Sequence, residues 1–415
     1  MSRLSEMIKE LCPDGVEYRW FEDCCEYVRG ITYNKSNEAR SDSEPVWRVL
    51  RANNITLSSN TLNFDDVKLI EKTVRVKGDQ FLTKGDILIC AGSGSKEHIG
   101  KVAYIDEDME YTFGGFMAVI RCNSSIDSRY LFHIFTSKLF LLYLDTALNS
   151  STINNLNFTV MKKFIFPVPP LPIQNEIVKM LDNFTELTAE LTAELALRKK
   201  QYNFYRDSLL NFDQKNSKVE WKTLGDVCDI LSGYPFDSSQ FVNNGIRLMR
   251  GMNVKRGVLD FQEGNNRYWK NTDGLDKYKL EADDIIIAMD GSLVGQSYGL
   301  VKEEHLPLLL VQRVARVRSK ESNSHYVYHY ISSGKLTEYV NAKRTAGAVP
   351  HISLKDIEKF EIPFPDIEKQ NKIAEILDRF DTLCNDLTQG LPAEIAARKK
   401  QYEYYRDKLL TVWRK

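Results

Sequence analysis

No apolar run in these 415 residues approaches the roughly 20 that a membrane-spanning helix requires, so the sequence predicts no helical span and no membrane partner. The opening MSRLSEMIKELCPDG lacks the apolar core of a signal peptide and reads as a short amphipathic helix. Cysteine is sparse and follows no framework: there are seven, an odd number, with Cys24 and Cys25 adjacent and no C-x-x-C spacing. That argues against a disulfide scaffold and a zinc ribbon, and fits reduced thiols in a cytoplasm. Positive charge is not in excess. The net of −1 weighs against the simplest nucleic-acid binder, although a local basic face can coexist with acidic patches, and a larger partner can supply phosphate contacts. Catalytic signatures are missing as well. AGSGSKEHIG (residues 91–100) is glycine-rich but lacks the G-K-[ST] ending of a phosphate loop. No Asn/Asp-Pro-Pro-Tyr/Phe run is present, and the carboxylates Asp366 and Glu368 sit together at one helix entrance. Of six histidines only His325 and His329 are four apart on a predicted helix, and without an acidic partner they are not read as a metal site. The sequence therefore predicts no catalytic residues and no metal.

What the chain does have is a duplication. LRKKQYNFYRDSLL (197–210) returns as ARKKQYEYYRDKLL (397–410), with ten of thirteen positions matching from Arg198 to Leu210. Other segments correspond in order: 17–30 with 220–233, RVLRANNI (48–55) with RLMRGMNV (247–254), and KGDILICAGSGS (84–95) with ADDIIIAMDGS (282–292). FMAVIRC (116–122) aligns with QRVARVR (312–318), and KKFIFPVPPLPIQNEI (162–177) with EKFEIPFPDIEKQNKI (358–373). Short Val, Ile and aromatic runs punctuated by Gly, Asn and Asp predict β-rich domains, each with one modest helix, 130–144 or 326–340, before a proline-rich exit. The expected fold is α+β and pseudo-two-fold symmetric. Two globular domains, 1–168 and 215–365, are separated by two long antiparallel coiled-coil helices, 169–214 and 366–415.

The first helix spaces Ile177, Leu181, Phe184, Thr188, Leu191, Leu195, Arg198, Tyr202, Tyr205 and Leu209 by alternating fours and threes, the seam of a coiled coil. About 40 helical residues make a rod of roughly 60 Å. The second copy starts alike with Ile373, Leu377 and Phe380, then inserts four residues around Gly390 and Pro392, where a kink or break is expected.

The paired helices, the exit F-x-I/F-P-x-P followed by Gln174 or Gln370, and the tandem Thr188-Ala189-Glu190-Leu191 and Thr192-Ala193-Glu194-Leu195 carry a resemblance over essentially the whole chain. The chain resembles the specificity subunits of type I restriction–modification systems. That resemblance implies two target recognition domains, each reading one half of a split, asymmetric site in double-stranded DNA. The helices then act as spacer and docking surface for two methyltransferase subunits, with restriction subunits joining for cleavage. The chain itself would bind no cofactor, while S-adenosylmethionine, ATP and Mg would be used by those partners. Four helical residues add about 6 Å and about 400° of rotation, between one and two base-pair rises of about 3.4 Å. Two heads about one turn apart leave a gap of about six or seven base pairs between three- or four-base half-sites.

Direct readout needs polar side chains on loops that reach base edges. One candidate loop follows a buried strand in each half: Ser93, Ser95, Lys96 and His98, against Asp290, Ser292 and Gln296. The same residues also suit an ordinary glycine turn. A second precedes the exit: Ser151, Thr152 and Asn154, against Lys343, Arg344, Thr345 and His351. Early loops supply Tyr33, Asn34 and Lys35, or Lys255 and Arg256, which read more readily as solvated charge than as contacts. Arg198, Lys199, Lys200 and Arg206, repeated from Arg398 to Arg406, suit ion pairing or subunit docking better than phosphate, and Tyr202, Tyr205, Tyr402 and Tyr405 read as core. A reading from another class is a coiled-coil scaffold with two protein-binding β-rich domains.

Overall fold

A computed structural model describes residues 2–39, 45–149, 155–212, 219–343, 351–386 and 388–411. The chain forms two compact units, Met1–Leu191 with Glu394–Lys415, and Thr192–Ala393. Each long helix is thus divided between them, and the units do not end where the helices begin. Among the described residues, no single helix is long and apolar enough to cross a membrane.

In the first unit an antiparallel sheet runs in the order Cys25–Arg29, Met117–Cys122, Ile87–Cys90, Val102–Tyr104. A second sheet runs Lys68–Glu71, Val46–Leu50, Met109–Phe113, Phe81–Leu82, and its two inner strands are parallel. The entry strand Tyr18–Trp20 pairs with the exit strand Ile165–Pro167. The second unit repeats this plan. Cys228–Ser232, Val314–Ser319, Ile285–Ala288 and Tyr298–Leu300 form one sheet, and Tyr268–Trp269, Ile246–Met249 and Leu308–Leu310 the other. Glu220–Thr223 pairs with Glu361–Phe364.

The inferred alignment of 116–122 with 312–318 is corrected by one residue. Cys122 faces Cys25 while Ser319 faces Cys228, so Arg121 is the counterpart of Arg318 and Phe116 of Arg313. A one-residue slip would put every side chain on the wrong face of the sheet. The arginines fix the register, because each grips a buried carboxylate with two hydrogen bonds, Arg121 to Asp86 at 2.9 Å and Arg318 to Asp284 at 2.7 Å.

The single helix expected in each domain is also corrected, to two. Ser128–Phe135 breaks before Lys138–Asn149, and Ser324–Tyr330 passes through a wide turn, with Gly334 at φ 95°, into Leu336–Ala342. Hydroxyls at the breaks satisfy the freed carbonyls: Thr136 and Ser137 donate to His133 and Ile134, Ser332 and Ser333 to His329 and Tyr330. Such local bonds offer the backbone an alternative to helix.

The glutamine after each proline exit has a structural reason. Gln174 is fully buried, accepts from the Asp127 backbone N–H, and donates to the Pro169 and Ser125 carbonyls. Gln370 does the same with Asn323 and Pro365. Asp127 and Asn323 cap the buried helices, whose Tyr130 and Tyr326 donate to Pro167 and Pro363. Exit strand, cap and helix entrance are therefore one network in each unit.

The first long helix is continuous over 39 residues, Leu171–Leu209. The second divides into Ile367–Asn385 and Leu391–Thr411, with the break where Gly390 and Pro392 predict it. A Cβ on Gly390 would stand 2.8 and 2.9 Å from the carbonyl oxygens of Asp386 and Leu383, and closer still to that of Thr382. Early residues of one helix meet late residues of the other. Phe184 stacks on Tyr405 at 5.5 Å in the first unit, and Phe380 on Tyr205 at 5.4 Å in the second, so the pairing within each unit is antiparallel. Ile177 and Leu181 are fully buried in this seam, whereas Leu191 and Leu195 are half-buried.

Candidate nucleic-acid interface

In the second half the two candidate loops come together, and in the first the loop after the strand meets Asn155, just beyond the other candidate. Gly92 bridges Asn155 antiparallel in the first unit, and Asp290 bridges His351 in the second. Each junction forms because a fully buried strand, Ile87–Cys90 or Ile285–Ala288, ends beneath it. The chain before the exit then lies alongside, with Leu156 N–H donating to Ala91 and Ile352 N–H to Met289. A third element arrives at the same point. The turn before Met117–Cys122 puts Phe116 there, its carbonyl accepting from Ala91 and Gly92. The turn before Val314–Ser319 puts Arg313 there, its carbonyl accepting from Met289. That crossing turn is also why the first strand of each sheet ends on glycine, since a side chain on Gly30 or Gly233 would strike its backbone.

In the first unit Arg29 ties the junction, donating to the Gly115 carbonyl at 2.6 Å and to the Asn155 side chain at 3.3 Å. Phe116 projects with 74% of its surface exposed. Ser95 is exposed, Ser93 and His98 are half-buried, and the Ser93 hydroxyl accepts from Ser95 N–H. In the second unit Asp290 accepts from His351 and pairs with Arg313 at 3.3 Å. Ser292 is exposed. Gln296 lies with Arg256, Tyr298 and Thr337 along one shallow groove, which brings an early-loop candidate to the loop after the strand.

The other candidates are more scattered. Tyr33 is half-buried against Ile31, Val49 and Ile70, and a Cβ on Gly114 would lie 3.8 Å from its ring. Asn34 and Lys35 are exposed at the start of a short helical turn, and Lys255 is exposed beside Arg256, just after one. Lys343 is held by Asp356 at 2.6 Å and covers the Tyr339 ring; that ammonium, with the Ser353 hydroxyl, keeps the Asp356 carboxyl down at about 2. Ser151, Thr152, Asn154, Arg344 and Thr345 lie outside the described residues, as does the side chain of Lys96. Phe116, Arg29 and Arg313 are absent from the sequence candidates. Phe116 and Arg313 stand in runs that read as strand, and only the paired register separates them from it.

In each domain a buried histidine joins it to the helices. His133, fully buried, lies 2.9 Å from Asp182 of the exit helix and 3.0 Å from the Tyr402 hydroxyl. Burial pushes its pKa down, so the neutral ring donates from Nε2 to the carboxylate and accepts at Nδ1 from the tyrosine. Although burial works to raise the Asp182 pKa, His133 and Arg129 outweigh it and the value is lowered. The second unit repeats the arrangement with His329, Asp378 and Tyr202, at 2.7 and 3.5 Å. There His325 replaces Arg129, 2.8 Å from Asp378 and 3.1 Å from Asp283. The Asp378 carboxylate beside its ring is the main reason its pKa rises to about 9. The expectation that His325 and His329 have no acidic partner is thereby corrected: the acid lies 49 residues beyond His329, on another helix. No group of three or more metal-ligating side chains occurs among the described residues.

The sequence profile described as "Type I restriction modification DNA specificity domain" matches residues 13–197 and again 216–397. The chain is 41% identical over 261 residues to the type I restriction enzyme EcoR124I/EcoR124II specificity subunit of Escherichia coli, covering 60% of this chain and 63% of that relative. It is 25% identical over 424 residues to the EcoKI specificity subunit of E. coli K12, covering 93% and 88%. Among solved structures, the S subunit of a type I restriction–modification system from M. genitalium aligns with TM-score 0.57 at 15% identity, covering 96% of this chain and 97% of that one. A chain from a study of complex assembly and conformational transition of the type I R-M system aligns with TM-score 0.58 at 16% identity, covering 96% and 98%. At those identities the likeness is one of fold.

Proposed function

Because the chain belongs to the type I restriction–modification DNA specificity family, matched in both of its halves, we propose that it is the DNA-recognition subunit of such a system. Each unit reads one half of a split, asymmetric duplex site. The paired helices set the gap and dock two methyltransferase subunits, and restriction subunits join for cleavage in the cytoplasm. The chain performs no chemistry of its own, and S-adenosylmethionine, ATP and Mg belong to its partners.

One observation carries this reading. Both units build the same three-loop junction on the same strand order, yet fill it with unlike side chains, Phe116, Ser93 and Ser95 against Arg313, Asp290 and Ser292. A conserved-in-shape, variable-in-chemistry lip suits two heads that read different bases. A net charge of −1 fits a subunit whose partners supply much of the phosphate contact.

The test is selection from random duplexes by the chain assembled with its methyltransferase subunits. The expected product is two short motifs at one fixed gap of about six or seven base pairs. Indifference to sequence would favour the scaffold reading.

A further inference from the structure

We propose that Arg313, oriented by Asp290, reads a guanine in the half-site taken by the second unit; this rests on the DNA-recognition reading above. Arg313 stands at the tip of the three-loop junction with 76% of its side chain exposed. Its backbone lies in the left-handed region at φ 65°, a conformation that non-glycine residues adopt at a cost and that points to a functional demand when seen at an exposed tip. One guanidinium nitrogen, Nη1, lies 3.3 Å from Asp290, whose other oxygen is taken by His351. Among the described residues the Arg313 side chain makes no hydrogen bond, so its remaining donors face solvent as a planar fork on a carboxylate that is itself pinned.

That geometry distinguishes a base edge from a phosphate. A phosphate contact gains nothing from a carboxylate beside the arginine, because the two anions repel. A G·C pair in the major groove suits the couple, since guanine O6 and N7 accept from arginine while the cytosine amino group donates to a carboxylate. The equivalent tip in the first unit is Phe116, which has no side-chain donor, so the assignment is specific to one half-site.

The experiment is random-duplex selection by the assembled complex carrying wild-type chain, Arg313→Ala, Arg313→Lys or Asp290→Asn. The wild type is expected to select a split motif with a fixed guanine in one half. Arg313→Ala should lose roughly 5- to 150-fold of preference at that position alone, Arg313→Lys should retain part of it, and Asp290→Asn should weaken it. The half-site of the first unit should be unchanged, which reports intact folding. An Arg313→Ala complex that selects the wild-type motif at every position overturns the assignment and leaves the recognition reading standing. So does a uniform loss of affinity with a salt slope reduced by about one, the mark of a phosphate contact. A wild type that selects no split motif overturns the recognition reading, and this assignment with it.

Discussion

Tyr402 and Tyr202 hold equivalent places in the duplicated helix, but their hydroxyls sit 3.0 and 3.5 Å from His133 and His329. Removing a partner from a buried acceptor costs about 1–3 kcal/mol. Tyr402→Phe should therefore lower stability by about that much in urea unfolding, and Tyr202→Phe by clearly less; equal losses would contradict the asymmetry. The two anchors should also differ in pH response. His133 is pushed below the ordinary histidine value, so its unit loses stability as pH falls below 6.5, where the unfolded chain takes up the proton first. His325 is raised to about 9, so its contribution is complete below 6.5 and disappears as pH rises through about 9. In His325→Asn the loss of thermal stability between those values should shrink, and an unchanged profile would count against the Asp378 pairing. At the junction, Arg313→Gly should leave stability equal or higher, because glycine tolerates φ 65°.

At the scale of elements, the sheets, exits and helix break are visible in the sequence because each leaves a local mark: short β-branched runs, Phe-x-x-Pro exits, and Gly390 with Pro392. The break is demanding, since a methyl on Gly390 meets three backbone carbonyls that cannot move aside. Gly390→Ala should lower the melting temperature, while Ala393→Gly, on the half-buried first turn beyond it, should be nearly silent by comparison. What was not legible depends on distance along the chain. Nothing near His329 announces Asp378, and a one-residue register separates Phe116 and Arg313 from the strands that follow them. The helix breaks at Thr136 and Ser332 escaped for a different reason: the apolar periodicity runs through them, and only the hydroxyl bonds to the preceding turn reveal the interruption.

For the whole molecule, the first unit is completed by the end of the chain, with Leu410 fully buried in its core beside Leu409, and with Tyr402 on His133. Ending the chain after Ala393 should therefore raise amide exchange around His133 and Ile134, some 260 residues away, more than around His329. Faster exchange confined to the second unit would contradict the pairing. The tandem Thr-Ala-Glu-Leu units offer the most direct trial of the account as a gauge. Their Ala189, Glu190, Thr192, Ala193 and Glu194 are exposed, and Thr188, Leu191 and Leu195 on the seam are only half-buried, so a third unit extends the helix without displacing a core residue. The measurement is the methylation pattern laid down by the assembled complex with that unit inserted after Leu195. Four more helical residues add about 6 Å, so the account predicts the same two half-sites with their gap widened by one or two base pairs. An unchanged gap, or altered half-sites, would contradict it.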